Sequence, residues 1–317
     1  MYRPEIRVVD CTIRDGGLVN DSKFSLETVR EVYRCVCASG VDYVELGYRN
    51  SKELFSPEEY GPWRFCDEQW LRKATEGVDS GTTKVSIMQD AHKAVAEDIL
   101  PADESVVEMI RIATYVKDVD KAIHLANNAT DKGYDCTINV MAISREGGPF
   151  LEEALEQIER ETKARAVYVV DSYGALYSEE VHYIVEKYQQ HIKTKEVGGH
   201  FHNAQQLAFA NTIEAIIKGA NFVDGTLYGL GRGAGNCPTE LLLGFLKNPK
   251  FDIRPLLEGI ANAILPLREE LTWGYHVPFM LMGMLNQHPR DAIKWMGDGQ
   301  PDNLVEFYRQ VTEEYGE

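Results

Sequence analysis

In a chain of 317 residues no apolar run reaches the roughly 20 positions that a membrane-spanning helix needs, so no span is expected. Basic clusters are missing as well. Acidic residues outnumber basic ones 50 to 33, the formal charge is -17, and no Lys/Arg block offers phosphates a footing, which argues against a nucleic-acid partner. Cysteine is sparse and unpatterned: Cys11, Cys35, Cys37, Cys66, Cys136 and Cys237 include no Cys-x-x-Cys pair. They are expected to be small buried hydrophobes in a reducing compartment, without chemistry of their own. The start, Met1-Tyr2-Arg3-Pro4-Glu5, runs into a strand pattern with no signal-type hydrophobic segment, and a cytosolic location is the expectation.

What is present is a regular alternation. Short β-branched runs recur at Ile6 to Ile13, Tyr43 to Gly47, Lys84 to Met88, Met109 to Thr114, Asp135 to Ala142, Ala166 to Val170, Glu196 to Phe201 and Phe222 to Leu227. Helical patterns fall between them. The clearest is Leu26 to Ser39, where Leu26, Val29, Val32, Tyr33 and Val36 make an apolar stripe and Gly40 a C-terminal cap. Others span Leu151 to Lys163, Ser178 to Gln190, Gln205 to Lys218 and Thr239 to Leu246. Strands followed by helices with short loops pair in parallel, and eight such units predict a (β/α)8 TIM barrel over 1–248 rather than an open doubly wound sheet.

The barrel gathers the reactive residues on one rim, because groups at the carboxyl ends of the strands converge there. Strand one is expected to end in Arg14-Asp15, strand two in Glu45 to Arg49, strand three in Gln89-Asp90 and strand four in Thr114-Tyr115. Strand six leads into Asp171-Ser172-Tyr173, strand seven carries His200 and His202, and strand eight leads into Gly229 to Asn236. Side chains two apart on a strand face the same way, so His200 and His202 can close on one cation while Asp15 supplies oxygen. Alone, His-x-His describes two ordinary strand histidines; its convergence with Arg14-Asp15 predicts a metal site with open positions. No lysine falls at these predicted rim positions, which argues against imine chemistry and for a metal as electron sink. Glu45 is a candidate catalytic group or a partner of Arg14 or Arg49. Gly229-Leu230-Gly231-Arg232-Gly233-Ala234-Gly235-Asn236 fits the dinucleotide fingerprint poorly; Gly233 and its neighbours are expected to let backbone approach a ligand, with Asn236 presented to metal or substrate.

Arg14-Asp15-Gly16, Glu45, Asp171-Ser172-Tyr173-Gly174-Ala175, His200-Phe201-His202-Asn203 and the glycine-rich run to Asn236 together resemble the metal-dependent lyase and synthase barrels grouped with hydroxymethylglutaryl-CoA lyase. The likeness covers about residues 6 to 248 and is strongest to the 4-hydroxy-2-oxovalerate aldolases within that group, through the stretch from Gly199 to Glu240 and the Asp-Ser-x-Gly-Ala motif. The resemblance implies that Asp15, His200 and His202, with Asn236 as a further ligand, bind manganese, magnesium, cobalt or zinc. It implies that Ser172 holds the carboxylate of an α-oxo acid and that Arg14 stabilises an enolate oxygen. Where those aldolases carry a base histidine this chain has Leu18, so Tyr48, Tyr115, Tyr173, His276 or a bound water must replace it. The expected activity is a metal-dependent aldolase or lyase; the alternatives are a Claisen-type synthase joining an acyl-CoA to an oxo acid, and a catalytically silent binding barrel.

Residues 249–317 are expected to form a helical extension, with a helix over Pro255 to Thr272 and a methionine-bearing apolar stretch from Phe279 to Leu285 that packs on the barrel or in a homodimer. Aldolases of the resembled type dock a dehydrogenase through such an extension. The insert from Asn50 to Glu76 is long for a βα loop and is expected over the rim, with Trp63 and Trp70 facing substrate.

Overall fold

The computed structural model describes residues 3–298 and 302–316. Eight parallel strands close into a barrel in sequential order: β1 Arg7–Asp10, β2 Tyr43–Tyr48, β3 Lys84–Asp90, β4 Met109–Thr114, β5 Asp135–Val140, β6 Ala166–Asp171, β7 Glu196–Phe201 and β8 Phe222–Gly225. Closure comes from β1 pairing with β8, Arg7 opposite Phe222 through Asp10 opposite Gly225. Helices are α1 Thr12–Gly16, α2 Leu26–Ala38, α3 Glu68–Thr75, α4 Val119–Asp131, α5 Gly148–Glu161, α6 Ser178–His191, α7 Ala208–Ile217, α8 Thr239–Leu246, α9 Ile253–Gly259, α10 Val277–Met284, α11 Arg290–Gly297 and α12 Leu304–Tyr315. None of the described helices is long and apolar enough to cross a membrane.

Local sequence explains these limits. Helix α2 starts where Ser25 Oγ accepts the Thr28 amide and buries Val29, Val32, Tyr33 and Val36 on one stripe. Strand alternation sends one set of side chains outward to the helices and the other into the barrel. Tyr43, Met109, Tyr168 and Phe222 fill the inner lower layer, and the residues two further along three of those strands, Glu45, Arg111 and Asp224, are fully buried and charged. Gly198 makes room for this layer, since a Cβ there would lie 2.5 Å from the Tyr168 ring. All six cysteines are free and buried.

Three expectations are corrected. Arg14 and Asp15 do not end a strand; β1 stops at Asp10 and they ride the short buried helix α1. Asp10 makes that turn, accepting the Thr12 amide at 3.1 Å and the Thr239 hydroxyl at 2.8 Å. The single helix expected over Pro255 to Thr272 is broken into α9, a π-turn at Ile260–Ile264 and a 3-10 turn at Pro266–Glu269, because Pro266 has no amide to continue the ladder. Trp63 and Trp70 turn away from the rim: Trp63 is fully buried, donates its indole N–H to Phe24 O and stacks edgewise on Trp70 at 6.1 Å. Indole area is better hidden in the core than spread over a wet rim.

The apolar stretch at α10 packs inward as well. Phe279, Leu281 and Met282 join Ala204 and Ala234 of the barrel loops and Phe307 and Val311 of α12 in one cluster. That packing brings the loop between α10 and α11 back over the mouth of the barrel.

Candidate active site

At the carboxyl ends of the strands lies a cavity of about 230 Å³, into which Arg14, Asp15, Ser172, Tyr173, His200 and His202 all project. One ligand atom from each of Asp15, His200 and His202 lies within 4.8 Å of the other two. Asp15 Oδ2 is 3.3 Å from His200 Nε2 and 3.7 Å from His202 Nε2. The imidazoles are oriented from behind. His200 Nδ1 sits 2.9 Å from Asp224 Oδ2, and His202 Nδ1 donates to the carbonyl of Asp171 at 3.0 Å. Both Nε2 atoms are thereby turned toward Asp15, the arrangement that metal-bound histidines use.

The residues fit a divalent cation on the evidence of their own unfilled valences. Asp15 Oδ1, His200 Nε2, His202 Nε2 and Asn236 Oδ1 are buried and make no hydrogen bond among the described residues. Four such atoms on neighbouring residues are costly unless something binds them. Gly231 opens the approach: a Cβ there would lie 2.1 Å from Asn236 Nδ2 and 3.1 Å from Asp15 Oδ1. A second trio, Cys11, His200 and Asp224, is also compact, but His200 Nδ1 and Asp224 Oδ2 are spent on each other.

Behind the trio runs a closed ring of buried charge. Arg14 donates to Asp15 and, through Nε, to Glu45, each at 2.7 Å. Arg111 donates to Glu45 at 3.0 Å and to Asp224 at 2.6 Å, and Asp224 returns to His200. Three carboxylates against two guanidiniums leave one negative charge with neutral imidazoles, a balance that favours a divalent ion. Burial opposes charge on Asp15, but Arg14 and the two histidines outweigh it and hold the carboxyl well below its usual range. Burial likewise opposes Asp224, which Arg111 and His200 bring down to about 2. Burial pushes the His202 imidazole below its ordinary value. His200 is also disfavoured by burial as a cation, yet Asp15 and Asp224 raise it overall.

Of the other expected residues, Ser172 and Tyr173 line the cavity. They hang on a loop shaped by Asp171, whose carboxylate accepts the amides of Ala175 and Leu176 and is pushed by burial to about 6. Ser172 Oγ accepts the Ala142 amide at 2.8 Å, which leaves its hydroxyl hydrogen to donate elsewhere. Glu45 lies outside the cavity lining, fully buried beneath Arg14, and Arg49 is engaged with the carbonyls of Asp98 and Cys66. Gly233 stands to one side, against Pro289 and Phe279. His276 precedes α10 and packs on Phe279 at 5.8 Å, outside the lining. The loop that follows α10 supplies His288 instead, 6.2 Å from Tyr173 between ring centres. A lysine is present too: Lys93 lines the mouth, contrary to the expected lysine-free rim, with its amine 2.8 Å from Asp90.

Arg111, Asp224 and His288 were not singled out from sequence. For the first two a signal exists: a charged residue alternating with Met109 or Phe222 on the barrel-facing side of a buried strand needs a partner. His288 carries no such mark.

The HMGL-like family matches residues 5–260. A 4-hydroxy-2-oxovalerate aldolase of Thermus thermophilus is 30% identical over 264 residues, covering 82% of this chain and 75% of that one. An oxaloacetate decarboxylase of Mycobacterium tuberculosis is 30% identical over 240 residues, covering 76% and 69%. Among solved structures, the N-terminal domain of a candidate aldolase from Bacteroides vulgatus superposes with a TM-score of 0.81 at 32% identity, covering 92% of this chain and 96% of that one. The HMG-CoA lyase of Brucella melitensis shares the fold at TM-score 0.67 and 15% identity, over 84% of this chain and 99% of its own.

Proposed function

This chain belongs to the HMGL-like family, and on that premise we propose that it is a divalent-metal-dependent carbon–carbon lyase of the aldolase type, acting on an α-oxo acid through a pyruvate-type enolate. The observation that carries this reading is the set of four unfilled buried ligand atoms on Asp15, His200, His202 and Asn236, in a site whose cavity Arg14 also lines. A divalent ion held by these residues would supply Lewis-acid polarisation of the oxo-acid carbonyl.

The protein's own groups do the rest. Arg14 lines the cavity and is fixed through Nε and Nη1 by Glu45 and Asp15, which leaves Nη2 as the group to donate to oxygen as negative charge develops there. Such a donor, held by buried partners, needs no reorganisation when the bond breaks. Ser172, with its oxygen occupied by Ala142, donates its hydroxyl to the substrate carboxylate. Leu18, Met88, Met141 and Val170 line the same space and exclude water from the enolate, which would otherwise be protonated before it could add to an aldehyde.

A second reading, loss of carbon dioxide in place of an aldehyde, is favoured by one feature. Aldol cleavage needs a base for the substrate hydroxyl, decarboxylation does not. Leu18 stands where the resembled aldolases have histidine; Tyr48 and Tyr173 are raised by burial; and His288 is driven to about 3 by burial beside Arg232 and Arg290, a weak base. Pyruvate release from 4-hydroxy-2-oxovalerate and from oxaloacetate, followed with manganese and then with chelator, separates the readings. Metal-dependent release from the first supports the aldolase, release from oxaloacetate alone supports the decarboxylase, and none from either overturns the lyase reading.

A further inference from the structure

Acidic as the chain is, its cavity carries a surplus of cations. Arg14 is paired with Asp15 and Lys93 with Asp90. Arg64, Arg232 and Arg290 also line the cavity and have no ion-pair partner among the described residues. Arg64 is the unusual one. It is only 7% exposed, it makes no side-chain hydrogen bond among the described residues, and its Nε is buried without a partner. The guanidinium lies among aromatic faces, 5.2 Å from the Tyr48 ring, 5.3 Å from Phe55 and 4.9 Å from Tyr60. Those faces orient the planar group and offset part of its desolvation, but they accept none of its N–H bonds in the way an oxyanion does.

A second buried polar group stands beside it. Asn50 is 2% exposed, lines the same cavity, and has both its amide nitrogen and its oxygen unsatisfied. Its backbone N–H donates to the Arg64 carbonyl at 3.2 Å, which ties the two residues together. The insert that carries Arg64 thus brings a fork of donors and an amide to the rim, while its tryptophans serve the core. A buried guanidinium and a buried carboxamide, both unsatisfied and both at one cavity wall, make a site for the two oxygens of a carboxylate or phosphate.

From this we infer that Arg64 and Asn50 form an anion subsite, on the β2 side of the cavity across from the His200–His202 pair, which recognises a second negative group at the far end of the substrate. The inference rests on the aldolase reading and narrows it: the aldehyde partner of the oxo acid carries a terminal carboxylate or phosphate. It also weighs against decarboxylation, because a leaving carboxylate gripped by a guanidinium is stabilised as the anion and kept from becoming neutral carbon dioxide.

Titration calorimetry of the full chain with succinate and with inorganic phosphate, each in the presence of saturating pyruvate, tests the site without requiring turnover. Arg64→Met should weaken binding of at least one of the two anions about tenfold or more, and Arg64→Lys should recover part of it. Asn50→Asp, which sets a like charge at the same wall, should weaken it too and serves if Arg64→Met does not fold. Whichever anion shows the Arg64-dependent loss names the terminal group. Equal affinities in the wild type and the variants would overturn the proposal. Where succinate is the anion that depends on Arg64, the preference for succinic semialdehyde over butanal in aldol addition to pyruvate, a ratio of about 10 to 100, should collapse toward one in Arg64→Met; no preference in the wild type in that case would also overturn it. A failed lyase reading shows differently, as absent pyruvate chemistry with Arg64-dependent anion binding intact.

Discussion

His200 turns its Nδ1 to Asp224 Oδ2 at 2.9 Å, and that single bond decides which face of the imidazole is left for Asp15. Because Asp224 is held in turn by Arg111 at 2.6 Å, its carboxylate is fixed, and the ring cannot rotate without breaking this buried hydrogen bond. Replacing Asp224 with Asn keeps the shape but removes the charge that orients the histidine. Manganese affinity measured by titration calorimetry should fall about 10- to 100-fold while the circular-dichroism spectrum stays native. Unchanged affinity would show that Asp224 serves the barrel interior and not the ion.

Arg14 should act on rate more than on binding. Arg14→Met removes the donor to the developing oxyanion and leaves Asp15 in place, so kcat for pyruvate release is expected to fall about 10²- to 10³-fold. Steady-state kinetics at saturating metal checks this. A rise confined to KM would assign Arg14 to substrate binding alone.

Asp10 gives the fold a pH signature. Burial raises its carboxyl from the ordinary 3.8 to about 6. The folded state therefore holds this proton more tightly than the unfolded chain, and the contribution is favourable at low pH and lost as pH rises from about 4 to about 6. Asp10→Asn keeps acceptor and donor for Thr12 and Thr239 without the charge. The stability of the variant relative to wild type, from urea unfolding, should increase between pH 5 and pH 7, toward a full-range limit of about 3 kcal/mol. A difference that stays flat with pH would mean that Asp10 is not carrying a buried charge.

Trp63→Ala is expected to cost about 3 to 5 kcal/mol in denaturant unfolding, since it empties a fully buried site and frees the Phe24 carbonyl. A stable variant with an altered substrate profile would return Trp63 to the rim role that its place in the sequence suggests.

The barrel was legible because its strands are short, β-branched and evenly spaced, and β4 and β7 fall on the expected residues to the position. His200, His202 and Asp15 could be grouped because a two-residue period and one rim are enough to bring them together. Other parts depend on how the chain returns on itself. His288 reaches the cavity only after α10 has packed on Ala204 and Ala234, a contact with no local signature, so His276 stood in for it. Lys93 escaped notice because the turn after β3 folds it back to Asp90. Trp63 and Arg64 are adjacent yet point to opposite fates, core and cavity, and composition alone ranks the aromatic above the cation for substrate contact. Glu45 was recognised as important, but only the inward-facing Arg111 explains why it lies behind Arg14 instead of beside the substrate.

Deuterium exchange at the pyruvate methyl group, followed by NMR in heavy water, tests the metal-enolate account most directly. With manganese the methyl signal should decay in the presence of the wild-type chain, and the decay should stop on chelation and in a His200→Ala, His202→Ala double variant. Exchange that continues in the chelated protein or in that variant would contradict the assignment of Asp15, His200 and His202 as the cation site.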